Sequence, residues 1–196
     1  MMIDIYVEKV GSVWCGVAYK GEDVHGTTFA STEKNAMRSL SECVNYDVSR
    51  QQQKSTQFAR QVTALVKDMY DGKDTDWNLT FKSERLSKYA MKVIDAVSKV
   101  PTGYVTSYGE VAKAVGGGPR AVGQIMARNP FAPLCPCHRV LRSDLTLGGY
   151  GGGLDVKLAF LKREKRGYTS EKKIPLDGKA LRVFPVELAI RKAEEG

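Results

Sequence analysis

The chain has little of what would place it outside a cell or across a membrane. No run approaches the ~18 consecutive apolar residues of a membrane span. The opening Met-Met-Ile-Asp-Ile-Tyr carries neither the basic flank nor the apolar core of a signal peptide. The 4 cysteines, Cys15, Cys43, Cys135 and Cys137, are too few and too scattered for a disulfide scaffold, so a reducing cytoplasm is the expected setting. Histidine is scarcer still, with 2 in the chain, and His25 near Cys15 or Cys43 supplies too few ligands for zinc. What is present is 196 residues of which 42% are hydrophobic, which excludes wholesale disorder and allows one core or two small ones.

Charge divides the chain. Residues 1–100 carry 14 basic and 13 acidic side chains, and residues 101–196 carry 16 and 9, so nearly all of the +8 net charge lies in the second half. A neutral half joined to a basic one suggests that the second half meets a polyanion. A basic surface without a partner accounts for the charge equally well.

In the first half, Ile3–Val7, Val13–Tyr19 and Val24–Phe29 have β-rich composition and are separated by Gly11-Ser12 and Gly21-Glu22-Asp23, a pattern that predicts an antiparallel meander. Ala36, Met37, Leu40 and Val44 share a helical face, as do Phe58, Val62, Leu65, Val66 and Met69. Asp71-Gly72-Lys73-Asp74 reads as a break, with Trp77–Phe81 as a short strand or extended linker. No chemical constellation occurs in this half, and its role is that of a scaffold.

The second half opens with a long amphipathic helix from Ser83 to Val100, stopped by Pro101-Thr102-Gly103. Ser107-Tyr108-Gly109-Glu110 matches a capping box and starts a short helix through Ala114. Gly116-Gly117-Gly118 breaks it, and Pro119 opens another helix to about Arg128, giving a helix-turn-helix pattern. A helix that reads the major groove usually presents several long polar side chains. This one carries Ala121, Gly123 and Ala127, which suit either close approach to a narrow groove or close helix packing.

Three further signals follow. Cys137-His138 interrupts the apolar stretch Leu134–Leu141. In an extended strand the two side chains would point to opposite faces, so activation of the thiol needs a special turn, a bridging water or a helix terminus. A buried cysteine beside a satisfied histidine reads the same residues without chemistry. Gly148-Gly149-Tyr150-Gly151-Gly152-Gly153 allows backbone amides to approach a ligand but fits no dinucleotide or Walker pattern. A helix is expected over Asp155–Arg166, with Leu154, Leu158 and Leu161 on one stripe and Lys157 and Glu164 inside the apolar arc. A carboxylate facing a core needs a histidine, lysine or water as partner; a snorkelling lysine and a half-exposed Glu164 are the simpler alternative.

Taken in order and spacing, Ser107-Tyr108, Arg120-Ala-Val-Gly123, Asn129-Pro130, Pro136-Cys-His-Arg-Val140, Tyr150 with its glycines, and Glu164 resemble the O6-alkylguanine-DNA alkyltransferase family, without a gap from about Val100 to Glu164. The resemblance implies an α+β protein: an RNase H-like strand–helix scaffold over residues 1–82, then a mostly helical, winged-helix-like domain with a helix-turn-helix over 83–169. Residues 170–196 form an extension to which it assigns no role. It implies that Cys137 accepts the alkyl group, activated through a water by His138, itself oriented by Glu164. Tyr108 would donate a hydrogen bond to the departing guanine, Arg120 would enter the duplex in place of the flipped nucleotide, and Asn129 would hold the turn before the site. Met126 and Tyr150 would wall the guanine pocket, Val140 and Gly151 would read the base edge through backbone, and Lys157 would bond near the active-site loop. The implied partner is duplex DNA carrying O6-alkylguanine, bound through its minor groove by a monomer with no membrane association. The implied reaction is single-turnover, without metal or organic cofactor.

The chain departs from the family pattern in places. Cys135 stands where an aliphatic residue is usual and is expected to be buried and inert; Gly151 replaces a frequent serine; and Ser143-Asp144-Leu145 lacks the common turn glycine. The acceptor Cys137 argues against a non-enzymatic binder of alkylated DNA. The small residues of the Pro119–Arg128 helix argue against a transcription factor that uses cysteine as a sensor.

Overall fold

The computed structural model describes residues 3–44 and 53–195, which form two compact units. The first comprises residues 1–85 with 130–134, and the second residues 86–129 with 135–196. The expected boundary at 82/83 lies close to the first division. The segment 130–134 and the extension 170–196 fall in the first and second units respectively.

In the first unit β1 (Asp4–Val10), β2 (Val13–Lys20) and β3 (Asp23–Ala30) form the antiparallel meander, and β4 (Thr80–Phe81) joins β3 in parallel. Alternation sends Ile5, Val7 and Ala18 to one face, where Ala36 and Leu40 of α1 (Glu33–Val44) cover them. Full burial of a side chain such as Leu40 stabilises by about 1.5–3 kcal/mol. Helix α2 (Gln57–Tyr70) begins where the Thr56 hydroxyl accepts from Ala59 N at 3.0 Å, and it buries Val62, Val66 and Met69. Residues 130–134 return to this unit: Thr27 N–H donates to the Pro130 carbonyl at 2.9 Å, and Phe131 stacks on Phe81 at 4.5 Å. Cys15 is fully buried and burial pushes its thiol up to about 12, so it is inert in the sheet.

The second unit contains α3 (Lys88–Ser98), β5 (Tyr104–Ser107), α4 (Tyr108–Val115), α5 (Pro119–Ala127), β6 (Val140–Leu141), α6 (Leu154–Arg163), β7 (Lys172–Leu176), β8 (Lys179–Pro185) and α7 (Val186–Glu195). Serine caps start two of the helices: Ser87 Oγ accepts from Ala90 N at 3.1 Å, and Ser107 Oγ accepts from Glu110 N at 3.1 Å. The turn between α4 and α5 depends on glycine. Gly117 has φ +86°, and a Cβ there would run into the Tyr89 hydroxyl, which donates to the Gly116 carbonyl at 2.9 Å.

The helical reading of this half omits a four-stranded sheet of order β6-β5-β8-β7. Strands β5 and β6 are too short for alternation to show, and β5 finds its antiparallel partner in β8, within the extension. Val105, Leu141, Leu161, Val186, Ala189 and Ile190 close one core around this sheet, so residues 170–196 are built into the unit. The helix expected from Ser83 begins only at Lys88, because Ser87 caps it, and two further local expectations are corrected. Leu154 is 51% exposed and leaves the core stripe, because it begins α6 one turn before the buried face. The helix also stops at Arg163, because Glu164 becomes its cap and turns inward.

Candidate active site

The site grows from a bend at Pro136. Its ring fixes φ near −65°, and the observed φ −80°, ψ 70° makes an inverse γ-turn in which Cys137 N–H donates to the Cys135 carbonyl at 2.8 Å. The next residues, Cys137–Arg139, form a single turn of 3-10 helix rather than a strand. At about three residues per turn, successive side chains diverge by roughly 120° instead of alternating between two faces. Cys137 stays partly exposed while His138 and Arg139 turn into the protein, at 0% and 3% exposure.

Inside they meet Glu164, itself fully buried. His138 Nε2 lies 2.7 Å from Glu164 Oε1, and Arg139 forks the carboxylate, with Nε to Oε2 at 2.9 Å and a terminal nitrogen to Oε1 at 2.9 Å. The same guanidinium donates to the Val100 carbonyl at 2.5 Å and to Thr102 Oγ1 at 3.1 Å, anchoring the triad to the end of α3. Burial by itself would push Glu164 up, but Arg139 and His138 outweigh it and hold the carboxyl at about 2. Glu164 is therefore ionised and accepts only, so Nε2 carries the imidazole proton and Nδ1 keeps its lone pair. Burial lowers the pKa of His138, leaving the ring neutral, stacked on Phe160 at 4.5 Å. Its Nδ1 is buried with no protein partner among the described residues.

Burial raises the Cys137 thiol, against the opposing pull of Asn129 and of the Lys157 charge, so the resting group is a thiol that needs a base. Asn129 also donates to the Cys135 carbonyl at 2.8 Å, pinning the bend. Cys135 is fully buried with its thiol raised well above the ordinary range, chiefly by burial. Lys157, likewise fully buried, donates to the carbonyls of Val140 at 2.8 Å, Leu147 at 2.5 Å and Gly149 at 3.4 Å. It ties the strand after the cysteine to the glycine loop, and burial brings its ammonium down to about 8.

Tyr108 opens α4 beside Gly123 of α5 and Gly148 of the loop. Burial and the neighbouring Cys137 keep its phenol protonated, and the same two causes act on Tyr150. Met126 is buried on α5, Gly151 is exposed in the loop, and Arg120 stands exposed in the first turn of α5 with no partner among the described residues. Cys137, His138, Glu164, Tyr150, Lys157, Asn129 and Tyr108 thus form one group of neighbouring or electrostatically coupled residues, and among the described residues no hydrogen bond or ion pair joins Arg120, Met126 or Gly151 to it.

Comparison with known proteins gives the family of the chain. Residues 88–166 match the family model described as 6-O-methylguanine DNA methyltransferase, DNA binding domain. A methylated-DNA–protein-cysteine methyltransferase of Methanosarcina acetivorans is 34% identical over 110 residues, covering 55% of this chain and 70% of the relative. The chain belongs to the methylated-DNA–protein-cysteine methyltransferase family. A member from Methanothermobacter thermautotrophicus is 39% identical over 100 residues, covering 50% of this chain, and the match spans only 57% of that relative. Among solved structures, a Mycobacterium tuberculosis OGT in complex with DNA superposes with a TM-score of 0.63 at 25% identity, covering 83% of this chain and 92% of that one.

In this family member, the periodicity that places Glu164 and Lys157 inside the apolar arc is right, and both side chains are wholly buried. Sequence reasoning missed Arg139. Its signal was a cation inside the otherwise apolar Leu134–Leu141 stretch, which demands a buried carboxylate. Removing one member of such a buried pair costs about 3–5 kcal/mol, and Glu164→Gln is expected to lose that much on denaturant unfolding at neutral pH. Because the folded pKa of Glu164 lies below its ordinary 4.5, the carboxylate's contribution is full above that pH and disappears as pH falls toward about 2. The stability gap between the wild type and Glu164→Gln should therefore close over that range.

Proposed function

We propose that the chain removes an alkyl group from O6 of guanine in duplex DNA and keeps it on Cys137. The observation that carries this reading is a partly exposed Cys137 one residue from a buried neutral histidine whose Nε2–H is committed to Glu164. The free Nδ1 lone pair takes the Cys137 proton through a bridging water. The thiolate attacks the alkyl carbon in line with the C–O6 bond, forming S–C as C–O breaks and the electron pair passes to guanine. Tyr108 donates a hydrogen bond to the departing base, which regains a proton. Asn129 holds the bend, Lys157 holds the loop, and Met126, Tyr150, Val140 and Gly151 surround the base. A thioether is not readily hydrolysed, so each chain acts once, and no residue of the group calls for a metal or organic cofactor.

An alkylguanine inside a duplex offers no such line of attack, so the nucleotide must leave the stack. The helix-turn-helix of α4 and α5 presents Arg120, Gln124 and Arg128 among small residues, a surface suited to the minor groove. We read the first unit as an RNase H-like scaffold and the second as a winged-helix-like domain, acting as a monomer in the cytoplasm. Incubation with duplex DNA radiolabelled at the O6-methyl group tests the activity. Label on protein should saturate at one group per chain, and continued turnover by the same molecules would contradict it.

A further inference from the structure

The turn that follows Glu164 is held from outside by a residue of the extension. Gly167 has φ +75°, a left-handed conformation that lets consecutive amides point the same way. Three of them converge on one oxygen of Glu187: Arg166 N at 3.0 Å, Tyr168 N at 3.2 Å, and Gly167 N between them. Glu187 lies in the first turn of α7, whose first residue, Val186, donates to the Gly103 carbonyl at 2.9 Å, just before β5. Tyr168 stacks on Tyr104 of β5 at 4.9 Å, with the Lys172 ammonium over both rings. Arg139 reaches the same region from within through Val100 and Thr102. Glu164 is thus fixed at two points, by His138 and Arg139 on its side chain and by the Glu187 clamp on the backbone that follows.

We propose that Glu187 is a positioning residue for alkyl transfer: by binding the amides of residues 166–168 it holds the Glu164 carboxylate on His138. This rests on the reading of His138 as the base for Cys137. It gives the extension a part in the chemistry without contact to the reacting atoms. The charged groups acting on the His138 ring are Glu164, Arg139 and Lys157, and among them Glu164 is the one that favours the protonated ring.

The test uses the full chain with Glu187→Ala and Glu187→Gln, and Glu187→Asp in place of the alanine variant should that fail to fold. With 2 histidines in the chain, NMR titration follows His138 with His25 as internal reference. In Glu187→Ala the His138 pKa is expected to fall by about 0.5–1 unit as the carboxylate withdraws, while His25 stays in place. The single-turnover rate on methylated duplex should fall about tenfold, part of what a general base supplies, with the acid limb of its pH profile moved to lower pH and DNA affinity unchanged. Glu187→Gln, which keeps an acceptor oxygen, should recover most of both. An unmoved or raised His138 pKa, or a rate lost in step with DNA binding, overturns the proposal. If the wild type transfers no methyl group, the alkyl-transfer reading falls instead, and the His138 titration still decides whether Glu187 positions Glu164.

Discussion

Cys137→Ser is expected to lose alkyl transfer on the order of a million-fold, the scale seen when an enzyme's nucleophile is removed, while still binding DNA. The hydroxyl is a far weaker nucleophile toward an alkyl carbon. A hydroxyl is also far less acidic than a thiol, so the neutral His138 leaves a much smaller fraction of it activated. His138→Ala should fall by a smaller factor, about 10²–10⁴, because it removes only the base. In both variants DNA affinity by titration should match the wild type, since neither side chain lies on the exposed face of α5. Loss of binding in step with activity would show that the bend at Pro136 had collapsed.

The second large effect concerns Arg120. It is exposed in the first turn of a helix otherwise studded with Ala121, Gly123 and Ala127, so it alone there can reach far into a groove that the backbone approaches closely. Extruding a nucleotide costs a few kcal/mol. A guanidinium stacked in the gap recovers about 1–2 kcal/mol, which at ~1.4 kcal/mol per decade is roughly five- to thirtyfold in rate. Arg120→Ala should therefore slow repair of duplex O6-methylguanine by about that factor while leaving reaction with free O6-benzylguanine nearly unchanged. Equal losses on both substrates would assign Arg120 to the pocket or the fold. A uniform, salt-dependent loss of DNA affinity would make it a phosphate contact.

Much of this site was legible because its signals are local. The Ser107–Glu110 cap, the glycine break before Pro119 and the inward placement of Lys157 and Glu164 each follow from spacing within one helix. What was not legible depends on bends and on distant pairing. Nothing in the spacing of Leu134–Leu141 shows that Pro136 turns the chain into a 3-10 helix, so the inward course of Arg139 stayed hidden. Tyr104 and Val105 of β5 pair with β8 some eighty positions later, and without that pairing the extension looks like an appendage. Leu145 shows the same limit in reverse. It takes φ +64° where a glycine is usual, and the Asp144 carboxylate holds the turn by accepting from Thr146 N at 3.0 Å and Thr146 Oγ1 at 2.7 Å.

If a thiol next to a buried, carboxylate-oriented histidine takes an alkyl group and keeps it, the group must be found on that sulfur. The most direct measurement is peptide mass spectrometry on protein incubated with excess O6-methylguanine duplex. The expected result is the mass of one added methylene on the peptide carrying Cys137, at full occupancy, with Cys135, Cys15 and Cys43 unmodified. An unmodified Cys137 after the DNA has been repaired, or the group on Cys135 instead, would contradict it.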